Sequence, residues 1–288
     1  MNLGYFDEVA RLVGVLGLKI TQNGELLAHQ TWDEECRRNI YSATKSVTAV
    51  AVGFAVREGL LSLDEKLTDA FADSLPETVG ENLAKATVRD LLTMCLGQGD
   101  AQLMAAQRPL YRERDWVKLA LALPFPYAPG EKFVYSNVGP YLAGVLVQRR
   151  AKCGLTEYLT PRLFEPLGIT RPAWETDPFG REFGAGGLLL TLSELHEFGL
   201  FCLQRGEYKG KRLLNAGWFD ECFKKQGAGP YGYLFWLGEH DSVRIDGKYC
   251  QLSVLFPDKN AAITVVAECR HPDVLMRAIH DSLWPQLA

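Results

Sequence analysis

A serine followed three residues later by a lysine, Ser42 and Lys45, opens an apolar run that continues to Arg57. On a helix, residues three apart share a face, so the Lys45 amine can reach the Ser42 hydroxyl. A serine hydroxyl attacks poorly until a base takes its proton, and an adjacent amine can be that base. The positive end of the helix dipole opposes a second positive charge and so helps depress the lysine pKa. Free N–H groups of the first turn can also face a developing oxyanion. A serine at a helix start is more commonly a plain cap. Two details weigh against that role. Ser42-x-x-Lys45 is the one such pair in the chain, and a first helical turn favours acids over lysine.

The second candidate follows a Pro129-Gly130 turn: Tyr135-Ser136-Asn137. A tyrosine can relay a proton to or from a leaving group. An amide two residues on can hold a substrate carbonyl. Alone, the triplet reads as an ordinary surface turn. Its weight comes from standing in one chain with the serine–lysine pair.

Several elements must position these groups. Residues 4–14 suit a short amphipathic helix, and 13–20 read as a buried strand. Asn23-Gly24 is a two-residue hairpin signal, with 26–30 returning as a second strand. The Ser42 helix ends at a Gly59 stop signal. Helical patterns dominate from Leu60 to Leu123, with a threonine-capped helix at 87–94 and another from Asp115. Further helices are expected at 139–150, 156–163 and 193–205. Segment 170–184 reads as a long connection. Residues 231–237, 242–246, 249–256 and 261–268 are strand-like, and 272–287 close with a helix. The simplest assembly is an α+β fold: an antiparallel sheet covered by helices, with an inserted all-helical lobe. Residues 1–64 plus 185–288 would form the α/β lobe of a single catalytic unit, and 65–184 the inserted lobe. A site between the two would lie in a cleft.

Composition narrows the class. The 288 residues are 47% hydrophobic and 23% charged, with a net charge of −4. Arginine and lysine pairs are isolated, so no nucleic-acid partner is expected. The first residues lack a basic and apolar leader pattern, and no apolar stretch is long enough for a bilayer. The seven cysteines are scattered, which suits free cytosolic thiols and a cytoplasmic protein. The five histidines are dispersed in sequence, none beside an obvious partner. No metal or other cofactor is expected, and the partner would be a small-molecule ester or amide.

Taken together, the motifs resemble the serine β-lactamase-like superfamily, which includes class C β-lactamases, penicillin-binding proteins and related esterases. The resemblance rests on Ile40-Tyr41-Ser42-Ala43-Thr44-Lys45-Ser46, on Gly59 to Asp64, on Thr87 to Thr93, on Pro129 to Asn137, on Pro166 to Ile169 and on Gly186-Gly187. The Pro-Gly…Tyr-Ser-Asn segment is the most specific of these. The resemblance implies that Ser42 is acylated. Lys45 would be its base, or would hold Tyr135 as a tyrosinate that acts as base. Asn137 would orient the substrate. The oxyanion would rest on the Ser42 N–H and an N–H from a late strand. That strand here reads Ile245-Asp246-Gly247-Lys248, where the family carries Lys-Thr-Gly or His-x-Gly, and Gly247 and Lys248 become its candidate substrate-binding residues. Met94-Cys95-Leu96-Gly97 likewise replaces the family's usual His-Thr-x-Ser-Gly. The expected function is hydrolysis of esters or small amides. A β-lactamase or D-Ala-D-Ala carboxypeptidase, or an impaired binding protein of the same fold, are the alternatives.

Overall fold

The computed structural model describes residues 1–288. Six antiparallel strands form the sheet: β1 (Val15–Gln22), β2 (Glu25–Thr31), β3 (Trp236–Leu237), β4 (Val243–Gly247), β5 (Gln251–Phe256) and β6 (Ala261–Ala267). Their spatial order is β2-β1-β6-β5-β4-β3. The β1–β2 turn is Asn23-Gly24, both left-handed at φ 52° and 80°, as a two-residue hairpin with right-handed strand twist demands. Both central strands, β5 and β6, are buried at every residue. Each therefore reads as a mostly apolar run rather than an alternation, its buried polar residues being Gln251 and Ser253 in β5 and Thr264 in β6.

Helices cover both faces. Helix α1 (Gly4–Val13) and the C-terminal α5 (Pro272–Ala278) pack on one side, around Phe6, Leu18, Ile263 and Leu275. On the other lie α2 (Thr44–Arg57), α3 (Val138–Ala151) and α4 (Leu192–Leu203), in one continuous core with Val243, Ile245 and Leu255. Gly199 of α4 lets the helix settle on the sheet, since a Cβ there would stand 2.3 Å from Ser253 Oγ.

Residues 65–184 contribute no strand to the sheet. We propose the division into a sheet lobe and an inserted lobe on that ground. The insert is less helical than its sequence suggests. Thr87 does cap a helix, through a reciprocal pair with Asp90, but the helix is a 3₁₀ turn, Val88–Leu92. Much of 94–115 is irregular. Residues 231–235 also depart from the expected strand. Leu234 is left-handed at φ 60° and gives its N–H to the Leu92 carbonyl, so only Trp236 and Leu237 join the sheet. A two-stranded hairpin of Glu207–Tyr208 with Lys211–Arg212, and a helix Ala216–Cys222, fill a stretch in which the sequence carries no clear period.

Candidate active site

Helix α2 is an unusual helix in composition. It is rich in valine and threonine, buried on nearly every face, and has little amphipathic character. Such a segment is helical because tertiary packing holds it. Its polar residues are satisfied by irregular backbone: Ser46 Oγ donates to the Leu234 carbonyl at 2.8 Å, and Thr48 Oγ1 to that of Gly184 at 2.7 Å. A 3₁₀ turn, Tyr41–Ala43, precedes α2 and carries Ser42. Tyr41 is left-handed at φ 47°, an uncommon state for a bulky residue. The Asn39 side chain holds it there by accepting from the Tyr41 N–H at 2.7 Å.

Lys45 lies one helical turn on and is 1% exposed. Its Nζ donates to Ser42 Oγ at 2.9 Å and to the Ala185 carbonyl at 2.7 Å. Both partners are neutral oxygens. Burial, and secondarily the charge of Arg108, pull the Lys45 pKa down to about 7. The Ala185 carbonyl reaches the lysine because Gly184 packs tightly against α3. A Cβ there would be 2.8 Å from the Pro140 carbonyl oxygen.

Tyr135 stands opposite. Its ring stacks on Trp236, with centroids 5.3 Å apart and planes at 25°, and meets Tyr231 edge-on at 6.3 Å. The loop beneath it is tied to 94–97: Val134 N–H donates to the Met94 carbonyl and Gly130 N–H to that of Cys95. Gly97, at φ 106°, allows the Tyr127 carbonyl to approach, since a Cβ would lie 2.4 Å from it. The Met94-Cys95-Leu96-Gly97 replacement thus serves as a scaffold for the tyrosine. Burial raises the Tyr135 pKa to about 12, while the facing Ser42 hydroxyl draws it back and Asp246 adds to the rise. The Lys45 ammonium lies 5.1 Å over the ring centroid of Tyr135.

The late strand reaches the same place. Gly247 ends β4 against the Tyr41–Ala43 turn, where a Cβ would meet the Ile40 carbonyl oxygen at 2.2 Å and the Ala43 nitrogen at 3.1 Å. Asp246, beside it, has its pKa raised by burial and partly lowered again by Arg244, whose Nε lies 3.8 Å away. Lys248 is exposed, its ammonium 4.8 Å from the Tyr249 ring centroid, and Tyr249 packs edge-on against Tyr41. A cavity of about 330 Å³ opens here, with Asp246, Lys248, Cys250 and Arg270 in its wall.

Ser42, Lys45, Tyr135 and Gly247 therefore converge. Asn137 is arranged otherwise than the sequence suggests. It is 8% exposed, and its amide nitrogen donates to the Leu103 carbonyl at 2.9 Å. That donor anchors the 101–104 loop, while Asn137 Oδ1 is buried without a partner. Lys248 does not turn inward but lies along Tyr249. Sequence reasoning misses the Ala185 carbonyl, which has no residue-type signature, and the aromatic support from Trp236 and Tyr231. It also misses Arg108, which lies in an irregular stretch and carries a buried, unpartnered Nε.

Comparison with known proteins gives the class. The Beta-lactamase family model matches residues 8–284. The chain belongs to that family, one of serine hydrolase-like enzymes. Protein flp of Staphylococcus aureus is 26% identical over 138 residues, 47% of this chain and 28% of the relative. Monacolin J acid methylbutanoyltransferase of Aspergillus terreus is 29% identical over 157 residues, 48% of this chain and 37% of the relative. The matched stretch thus spans about a third of these curated relatives. Among solved structures, a Bacillus anthracis protein described as a candidate 6-aminohexanoate-dimer hydrolase superposes with a TM-score of 0.81 at 18% identity, over 97% of this chain and 80% of that one. A penicillin-binding protein from Bacillus halodurans gives 0.76 at 19%, over 97% and 99%. No helix is long and apolar enough to cross a membrane.

Proposed function

We propose that the protein is a serine hydrolase of esters or small amides that works through an acyl-enzyme on Ser42. The single observation that carries this is the Lys45 amine, buried without a counter-ion, at 2.9 Å from Ser42 Oγ. With a pKa near 7, about half of the molecules hold it as a free amine at neutral pH. Lys45 then takes the Ser42 proton as Oγ bonds to the substrate carbonyl carbon. Of the two bases the family resemblance leaves open, the amine is favoured. A phenol whose pKa is pushed up to about 12 is protonated at pH 7. It suits a relay that hands the lysine-held proton to the departing alcohol or amine as its bond to the acyl carbon breaks. Water, activated by the regenerated amine, then attacks the acyl-enzyme and releases the acid. The nucleophile turn and the Gly247 backbone flank the place where the oxyanion would form. Asp246 beside that place disfavours an anionic substrate, which supports neutral short-chain esters.

A second reading has one observation in its favour. Arg108 faces Lys45 closely enough to depress its pKa, and its guanidinium could receive a substrate carboxylate, as a β-lactam or D-Ala-D-Ala peptide presents. Glu175, 3.5 Å from the Arg108 guanidinium, competes for that role. The relatives' names include both hydrolysis and acyl transfer, so an alcohol or amine acceptor in place of water fits the same chemistry. The test is a p-nitrophenyl butyrate assay with intact-mass analysis, set against a chromogenic cephalosporin. A product burst equal to the enzyme and a mass gain of one acyl group, both absent in Ser42→Ala, are expected. A burst that persists in Ser42→Ala removes the nucleophile assignment. A cephalosporin kcat/KM at or above the ester value moves the protein to the second reading.

A further inference from the structure

Two histidines that are remote in sequence meet at the far end of β4. Glu239 and His240 lie on the turn that joins β3 to β4, and His280 on the π-helical turn, Ile279–Leu283, that follows α5. One ligand atom from each of the three lies within 4.8 Å of the others. Two imidazoles and a carboxylate are the donor set that suits Zn(II) and its neighbours in the first transition row. We propose that Glu239, His240 and His280 bind a transition-metal ion, Zn(II) by chemistry, with solvent at the remaining position.

The state of each donor supports this. His280 is 9% exposed, and its Nδ1 is buried with no hydrogen-bond partner. A buried polar atom left unpaired is uncommon and costs stability unless something satisfies it. A metal ion would do so. His240 stacks flat on Trp284, with centroids 3.7 Å apart and planes at 11°. That contact occupies the ring face and leaves the in-plane nitrogen lone pair free to coordinate. The His240 ring also meets His280 at 5.2 Å between centroids. Two cations stand near the cluster: Arg244, which Asp246 partners at 3.8 Å, and Lys259, whose ammonium lies 5.1 Å from the Trp284 ring centroid and donates to the Leu287 carbonyl at 2.8 Å. The donors, within 4.8 Å of one another, would close onto Zn–N and Zn–O bonds of about 2.0–2.2 Å, and Glu239 and His240 are exposed. The ion would clamp the β3–β4 turn to the C-terminal turn. That turn connects Trp236, which supports Tyr135, to the strand that ends at Gly247.

The experiment uses the full chain without a histidine tag. Zn(II) titration by calorimetry is expected to give one ion per chain, with a rise in melting temperature. Co(II) is expected to give the visible bands of a four- or five-coordinate site, bleached by Zn(II). His240→Ala, an exposed change that leaves the core intact, should weaken binding by more than about 100-fold, the upper end of what losing a residue that only hydrogen-bonds a ligand costs. Glu239→Gln should weaken it too. His280→Asn, checked for folding by circular dichroism, should abolish it. An absence of binding overturns the proposal. So does one-to-one binding that His240→Ala leaves unchanged, or thiolate-to-cobalt charge-transfer bands, which would place the ion on Cys36 or another thiol.

Discussion

Replacing Lys45 with methionine keeps the length and bulk of the side chain and removes its charge. In the unfolded chain the amine ionises near its ordinary pKa of 10.5, and in the folded protein near 7. The folded state therefore holds fewer protons across that window, so wild-type stability rises with pH through it. The penalty for burying the ammonium is fully present below pH 7 and gone above the unfolded pKa. At ~1.4 kcal/mol per pKa unit it approaches about 5 kcal/mol at low pH, is about 4 at pH 7 and about 2 at pH 9. Methionine carries no such term. Its absolute effect on stability mixes this gain with the loss of the bonds to Ser42 and Ala185, so the pH slope is the informative quantity. Urea unfolding of both proteins at pH 7, 8 and 9 should show the stability difference moving toward the wild type by about 2 kcal/mol over that range. The same variant should have no measurable acylation. A difference that stays constant with pH would mean that Lys45 titrates normally, and the proposed base would then be an ammonium unable to accept a proton.

Four further outcomes are expected. The acylation rate should rise with pH through a single ionisation near 7, set by Lys45, and a flat profile from pH 6 to 8 would contradict this. Lys45→Ala and Tyr135→Phe should each slow acylation by several orders of magnitude, and the double variant by far less than their product, because the residues act as one unit; pre-steady-state bursts measure all three. Gly247→Ala drives a methyl into the Ile40 carbonyl and should cut kcat by about 10²–10³, comparable to loss of an oxyanion donor, with overpacking costing about 1–3 kcal/mol of stability in denaturant melts. His196 is buried between Thr21 and Thr264 hydroxyls, both at 2.8 Å, and burial pulls its pKa down to about 3. Below its ordinary value of 6.5 the unfolded chain takes a proton the folded one refuses, so stability should fall by about 1.4 kcal/mol per pH unit toward pH 4, a slope that His196→Gln should flatten in acid titrations of unfolding.

Much of this arrangement is legible before any coordinates. Asn23-Gly24 is a hairpin turn because few other dipeptides accept two left-handed residues, and the structure has both there. The serine–lysine spacing implies a shared face, and Nζ meets Oγ. What escapes reading is set by chain segments that carry no period. A backbone carbonyl such as that of Ala185 is the same in every sequence. The aromatics at 231–235 resemble a strand, yet their backbone is diverted to Leu92 and their rings to separate partners: Tyr231 to Tyr135 and Phe133, Tyr233 to Trp218 and Phe235 to Phe223. Asn137 has the right type and place for substrate contact, but the nearby Leu103 carbonyl takes its donor. His240 and His280 look solitary because nothing local announces that a C-terminal turn will pack on the β3–β4 loop.

The position of β1 in the sheet has a consequence for how the chain is made. β1 lies between β2 and β6, paired with its near neighbour through Gly17–Gln22 and with Ala261–Ala267 from almost the other end. During synthesis the first hairpin can close early, but its inner edge must wait for more than two hundred residues before its partner is translated. Long-range pairings of this kind are slow to form and leave apolar edges exposed meanwhile. β2 is the edge strand and is largely solvated, whereas Leu18 and Ile20 of β1 have only α1 to cover them until β5, β6 and the C-terminal helices arrive. The nascent chain thus carries a sticky strand for most of its time on the ribosome, and expression at low temperature or with a holding chaperone should raise the soluble yield without altering the folded protein.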